Sequence, residues 1–195
     1  YTGSYPIAKA RGIPVTSYTT FADVGVYPTR LSWQQIREMR AAGFGIECNG
    51  WVQANFRLLS EAEIRANLEA VDTACINAGL PTPEHHAYSY GSTNAAVQAI
   101  MADYRDSGRV AVVGQTSGDI VSEWGQEANW YNLRSSPVHK QSVDADISDI
   151  TALIDQAIDH KSVLILYTNK VSEDPGALGC HVTPYAAILD YIAAK

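Results

Sequence analysis

With 195 residues, 46% of them hydrophobic and 18% charged, the chain has ordinary globular composition and enough length for one sizeable core, so a single domain over 1–195 is expected. A net charge of −7 argues against broad binding to nucleic acid or anionic membranes, although a local basic patch is compatible with one anionic substrate. No apolar run reaches the ~18 residues of a membrane span, so no membrane partner is expected.

The elements alternate along the chain. "IPVTSYTT" (13–20) is β-branched and aromatic, which predicts a strand. "LSWQQIREMRAA" (31–42) sets Trp33, Ile36, Met39 and Arg40 at helical spacing, with Ser32 as N-cap and Gly43 as stop. "GIECN" (45–49) is a second short strand. "SEAEIRANLEAVDTACINAG" (60–79) is the clearest helix. Ser60 and Glu63 make a capping box, Ile64, Leu68, Val71 and Cys75 line one face, and Gly79 ends it before Pro81. A strand near 85–88 leads to a helix over 93–106. "RVAVVG" (109–114) and "SVLILYT" (162–168) read as buried strands, separated by the helix 148–159. "TPYAAILDYIAA" (183–194) closes the series, with Pro184 expected at the first helical position.

Strand and helix in alternation imply an α/β fold with a largely parallel sheet, open or closed as a barrel. Such sheets place their sites where strand carboxyl ends run into loops. That rule selects the segment after residue 18 and the segments 48–56, 86–91 and 167–171. The three cysteines, Cys48, Cys75 and Cys180, lack metal-type spacing, and their odd number leaves at least one thiol free or paired between molecules. There is no Gly-rich phosphate loop, no Gly-x-Ser-x-Gly elbow and no Cys-x-x-Cys. The opening "YTGSYPIAKA" shows no signal peptide, so the chain is expected to be cytosolic or already processed.

The same loops carry a resemblance. The run from "YPIAKARGIPVTSY" through "LSWQQIREMRAAGFGIECNGWVQANFRLLSEAEIRANLEA" resembles the NodB-type polysaccharide deacetylases, the carbohydrate esterase 4 homology domain. In that family a strand leads into a His-x-x-x-His metal motif; here Asn49 and Gln53 stand at the two histidine positions, around Trp51 and ahead of Asn55. "AYSYGSTNAAVQAI" resembles the family's Pro-Tyr-Gly segment, with Tyr90 and Gly91 matching and Ser89 in place of proline. Where the family has a general-acid histidine after its last strand, this chain has Asn169. The resemblance implies a distorted (β/α) barrel of about six to seven parallel strands. The family's first strand, with its Asp-Asp motif, has no counterpart; the chain begins just after its expected place.

An amide is a poor zinc ligand, and a catalytic zinc site ordinarily needs three protein ligands. The substitutions therefore imply no metal and no other cofactor. The plain reading is a degenerate site whose amides satisfy loop backbone. The sharper one is that Asn49 and Gln53 donate to a substrate carboxylate during β-elimination of a uronate-containing glycan, which needs no metal. Base and acid would then come from "EHHAYSYG", where an extended chain puts His86, Tyr88 and Tyr90 on one face and His85 on the other. Each histidine alone is more often a structural hydrogen-bonding residue; sharing a strand end with two tyrosines raises the functional case, with His86 and Tyr88 favoured. Trp51 is a stacking platform or core, and the aromatic loop 122–137 offers Trp124 and Trp130 as further platforms and Arg134 as a bidentate partner for an acid group. Asn129 and Asn132 would assist. His139, His160 and His181 fall outside the strand-end loops and read as structural. Asp23 and Glu47 give a weaker possibility, a glycosidase carboxylate pair.

The expectation is thus a secreted, metal-independent polysaccharide lyase acting on a hyaluronan-like glycan, with polysaccharide as its partner. Its rivals are a catalytically inactive glycan-binding module and a metal-dependent deacetylase.

Overall fold

The computed structural model describes residues 1–111 and 129–195. In chain order the elements are α1 (Ser4–Lys9), β1 (Thr16–Thr19), α2 (Trp33–Ala41), β2 (Gly45–Cys48), α3 (Glu61–Asn77), β3 (His85–Ala87), α4 (Ala95–Met101), β4 (Ser107–Arg109), β5 (Ser136–Pro137), α5 (Ser148–Asp159), β6 (Leu166–Tyr167), β7 (Val171–Ser172), β8 (Cys180–His181) and α6 (Val182–Ala193). Their contacts group into two units: residues 16–111 with 129–133, and residues 1–15 with 134–195.

The first unit holds a four-stranded sheet in the order β1-β2-β3-β4 with every pairing parallel. Parallel neighbours need a crossover, and α2, α3 and α4 supply it. Each helix starts where a side chain accepts an orphan N–H. Ser32 caps α2 by accepting from Gln35, whose own side chain takes the Ser32 N–H at 2.8 Å. Ser60 and Glu63 form the same reciprocal box on α3. Asn94 caps α4 through the Val97 N–H at 3.0 Å. The predicted α3 face is buried throughout, at Ile64, Leu68, Val71 and Cys75; of the predicted α2 face Ile36 and Met39 are buried, while Trp33 and Arg40 are half-buried.

β4 differs from its prediction. The ladder lies at Ser107–Arg109, before the apolar run, because pairing with β3 sets it: His86 faces Gly108 and Ala87 faces Arg109. Gly108 is needed there, since a Cβ would come within 2.7 Å of the Tyr88 ring. A further segment adds beyond β4, where Leu133 bridges Arg109 in parallel. Residues 112–114 of the predicted strand lie outside the described residues.

The second unit has two short parallel ladders, β5 with β6 and β7 with β8. Val138, Ile150, Ile154, Val171, Cys180 and Ile188 form its core, with Ile7, Leu164, Leu166 and Tyr185 packed against them. "SVLILYT" is half-buried, and only Leu166–Tyr167 pair as strand. His181 caps α6 by accepting the Thr183 N–H on Nδ1 at 3.2 Å. Helix α6 therefore starts at Val182, and Pro184 is its third residue, not its first. That position also tolerates proline, because the first turn has no intrahelical acceptor for its N–H groups. Arg11 ties α1 to α6 through a two-pronged pair with Asp190 at 2.7 and 3.0 Å. All three cysteines are buried and free. No helix among the described residues is long and apolar enough to cross a membrane.

Candidate active site at the carboxyl end of the sheet

Asn49 leaves β2 and ties three strand ends together. Its backbone N–H donates to Thr19 O at 2.9 Å, at the end of β1. Its side-chain Nδ2 donates to Ala87 O at 2.7 Å, at the end of β3. Thr20 Oγ1 donates to its Oδ1 at 3.4 Å, and Ser89 Oγ donates to its carbonyl at 3.2 Å. The amide is thus a bracket between loops. Removing it strands the carbonyl of buried Ala87, and an unmet buried acceptor costs about 1–3 kcal/mol. Asn49→Ala is accordingly expected to lose about that much stability in urea denaturation; an unchanged midpoint would show the bracket to be idle.

Gln53 is exposed at the other end of the motif. Between them Gly50 takes φ +99, a turn open to glycine at little cost. Trp51 is half-buried, its N–H bonded to Asn67 Oδ1 at 2.7 Å and its carbonyl accepting from Ala22 N–H at 2.9 Å. Two amides, one bonded to backbone, are a poor donor set for a divalent metal. Among the described residues no three His, Cys, Asp or Glu side chains are grouped to hold one. The residues present do not fit the metal of the resembled family.

The acid–base pair expected from β3 is enclosed. His86 is 1% exposed, stacked on Phe56 at 5.3 Å and edge-on to Tyr88 at 5.2 Å. Burial, helped by the Arg105 and Arg109 cations, pushes its imidazole down to about 3. Its Nδ1 is buried and has no hydrogen-bond partner among the described residues. Tyr88 is 3% exposed, and its hydroxyl donates to Tyr131 O at 2.9 Å. Burial raises that phenol to about 12. Neither group reaches a ligand as the sequence reading expected, because this face of β3 points into the core. The alternation also stops early. The strand ends at Ala87, Tyr88 precedes a 3-10 turn over Ser89–Gly91, and Tyr90 sits at φ +60 and is 70% exposed. Tyr90 therefore does not share a face with His86 and Tyr88. His85 is half-buried with Nδ1 3.0 Å from Ser107 Oγ.

The remaining candidates scatter. Trp130 is exposed, but its carbonyl accepts from Gly108 N–H, level with the middle of β4 rather than beyond its end. Asn129 bonds Gln98 at 2.9 Å and the Tyr131 N–H at 3.0 Å. Arg134 and Asn169 belong to the second unit; Arg134 is half-buried, and Asn169 is exposed with its N–H on Leu178 O at 3.1 Å. Trp124 lies outside the described residues. Glu47 is 8% exposed, and its Oε2 accepts the N–H groups of Glu84 and His85 at 2.9 and 2.8 Å, so it anchors the start of β3. Asp23 pairs with Arg30 at 3.3 Å. A glycosidase pair built on Glu47 has no support from this arrangement.

Sequence reasoning missed a groove between α2 and α3. Trp33 and Arg37 line it with Trp51, Ala74, Asn77 and Ala78. The one available signal was Trp33 and Arg37 spaced four apart, which places them on one helical face.

Comparison with known proteins agrees with the topology. The polysaccharide deacetylase family model matches residues 1–105. No curated protein matches the chain. Among solved structures, a polysaccharide deacetylase from Bacillus cereus superposes with TM-score 0.59 at 18% identity, over 72% of this chain and 42% of that one. A family 4 carbohydrate esterase from Streptomyces lividans, in complex with acetate, gives 0.55 at 15% identity over 98% and 80%. The Streptococcus pyogenes deacetylase PplD, also with acetate, gives 0.55 at 16% identity over 67% and 55%. The chain spans less than two thirds of the Bacillus and Streptococcus proteins, and at these identities the likeness is one of fold: α/β, parallel and NodB-type. A family model matched over more than half its length makes this chain a member of the polysaccharide deacetylase family.

Proposed function

We propose that this domain binds polysaccharide on a deacetylase fold without performing metal-dependent deacetylation. The observation that carries the reading is Asn49 at the first metal-ligand position, with its amide N–H held 2.7 Å from Ala87 O. A side chain so used braces the loops and leaves no ligand set for a metal. Polysaccharide as the ligand follows from the family. Such a ligand implies an extracellular setting, so secretion is part of the proposal.

Metal-independent elimination on a uronate glycan is the second reading. It needs an acid and a base beside Asn49 and Gln53. With His86 and Tyr88 enclosed, it would have to rely on exposed Tyr90. That exposed phenol is the observation in its favour.

One experiment separates these readings. The protein is run through gels containing N-acetylglucosamine polymers or uronate polymers, hyaluronan among them. Parallel incubations follow acetate release with added zinc, and the ultraviolet absorbance of unsaturated uronate in chelator. Retardation by at least one polymer is expected, with neither acetate nor absorbance. Acetate release would restore the deacetylase; rising absorbance would establish the lyase.

A further inference from the structure

We infer that the groove between α2 and α3, which meets the altered motif loop at Trp51, is a saccharide-binding site. It measures about 510 Å³ and is lined by Trp33, Arg37, Trp51, Ala74, Asn77 and Ala78. That volume lies in the ~300–1,000 Å³ range of small-molecule sites.

The groove exists because α3 turns two alanines toward it where α2 brings a tryptophan and an arginine. Larger side chains at Ala74 and Ala78 would fill it. Its walls are held in place. Trp33 leans on the buried Phe21 ring at 6.0 Å. Trp51 is fixed through its backbone, by Asn67 on one side and Ala22 on the other. Of the two indoles, that of Trp33 is braced by Phe21 and loses little freedom when a ligand arrives. Both remain half-buried, so each keeps surface to offer.

The polar groups complete the chemistry. Arg37 Nη1 touches Ala78 O at 3.4 Å, which draws the guanidinium along the groove. A guanidinium has five N–H donors, so most stay available for hydroxyl or carboxylate oxygens. Exposed Asn77 adds an amide donor and acceptor. Indole faces for the C–H side of a pyranose, with a planar cation and an amide for its oxygens, recognise a sugar residue within a polymer. The inference rests on the reading of this domain as a polysaccharide binder, and it names where the polymer sits.

The test is affinity electrophoresis of the intact chain on whichever polymer retards it. Trp51→Ala and Arg37→Ala are each expected to weaken retention about tenfold or more, the scale of losing an anchoring aromatic or arginine. Ala74→Gln should do the same by filling the groove. It removes no contact and keeps a good helix former, which covers the case where Trp51→Ala fails to fold. Arg37→Lys should retain part of the binding. Wild-type retention that survives Trp51→Ala, Arg37→Ala and Ala74→Gln, or that Tyr90→Ala alone abolishes, overturns this site while leaving polysaccharide binding intact. Wild-type protein that no polymer retards overturns both. Concentration-dependent self-association that Ala74→Gln abolishes would assign the groove to a second copy and overturn the saccharide.

Discussion

Acidification from pH 7 to pH 4 is expected to cost the wild-type chain about 3 kcal/mol more stability than it costs a His86→Phe variant. His86 is fully enclosed, and its imidazole is depressed from 6.5 to about 3 by burial and by the Arg105 and Arg109 cations. Above pH 6.5 the ring is neutral in both folded and unfolded chains, and it contributes no slope. Between pH 6.5 and 3 the unfolded chain takes up a proton that the folded chain refuses, so stability falls as pH falls at about 1.4 kcal/mol per pH unit. Below about 3 both forms are charged and the loss levels off. Phenylalanine keeps a ring on Phe56 and removes the titration. Glu47, raised by burial, works in the opposite direction, and His139 is lowered by burial. Both are present in wild type and variant, so the difference isolates His86. Guanidinium titrations at pH 7, 5.5 and 4 read it directly. Parallel slopes in the two proteins would mean that His86 is hydrated in the folded state, and would reopen it as a base.

The same residue shows where sequence reading stops. The capping boxes at Ser32 and Ser60 and the buried stripe on α3 are local devices, and local devices are legible. The order of strands and helices from β1 to β4 was legible too, through periodicity, whereas α1, β5, β7 and β8 went unread because they are too short to show a period. The site was harder. Alternation along "HHAYSYG" said which residues share a face while the chain stays extended, but not which face meets the core. That choice was made by Phe56, Gly108 and Arg105, which approach from other elements. Tyr90 escaped the pattern because the strand ended at Ala87 and the backbone turned left-handed. Glu47 illustrates the opposite case. Its position in a strand was plain, and a catalytic role stayed open until its oxygen was seen to hold two backbone N–H groups. The bracket made by Asn49 depends on Ala87, 38 residues away, and no spacing rule reaches that far.

Asp72→Ala is expected to cost about 3–5 kcal/mol, the largest loss from any single substitution considered for this chain. Arg105 follows α4 with its side chain 0% exposed. Its Nη2 meets Asp72 Oδ1 at 2.7 Å, its Nη1 meets Oδ2 at 3.2 Å, and Nη1 also donates to Tyr104 O at 2.8 Å. Nε has no hydrogen-bond partner among the described residues, which leaves the guanidinium short of one bond there. Removing Asp72 leaves a buried cation with no countercharge, beside the depressed His86 and the buried Cys48 thiol. The penalty comes from that unpaired charge rather than from the attraction lost. Replacing both partners with apolar residues, Asp72→Leu with Arg105→Met, should therefore cost far less than the single change. Guanidinium denaturation of the three proteins decides it. A loss below about 1 kcal/mol in Asp72→Ala would show that water reaches the guanidinium. The double variant carries a second consequence: without the Arg105 cation, the His86 imidazole should titrate at higher pH than in wild type, and the acid slope should shrink with it. Cys48 immediately precedes Asn49, so the ion pair lies beneath the strand end on which the loop bracket is built. Denaturant and pH measurements on one set of variants thus test whether the platform of the altered metal motif is held by charge from below.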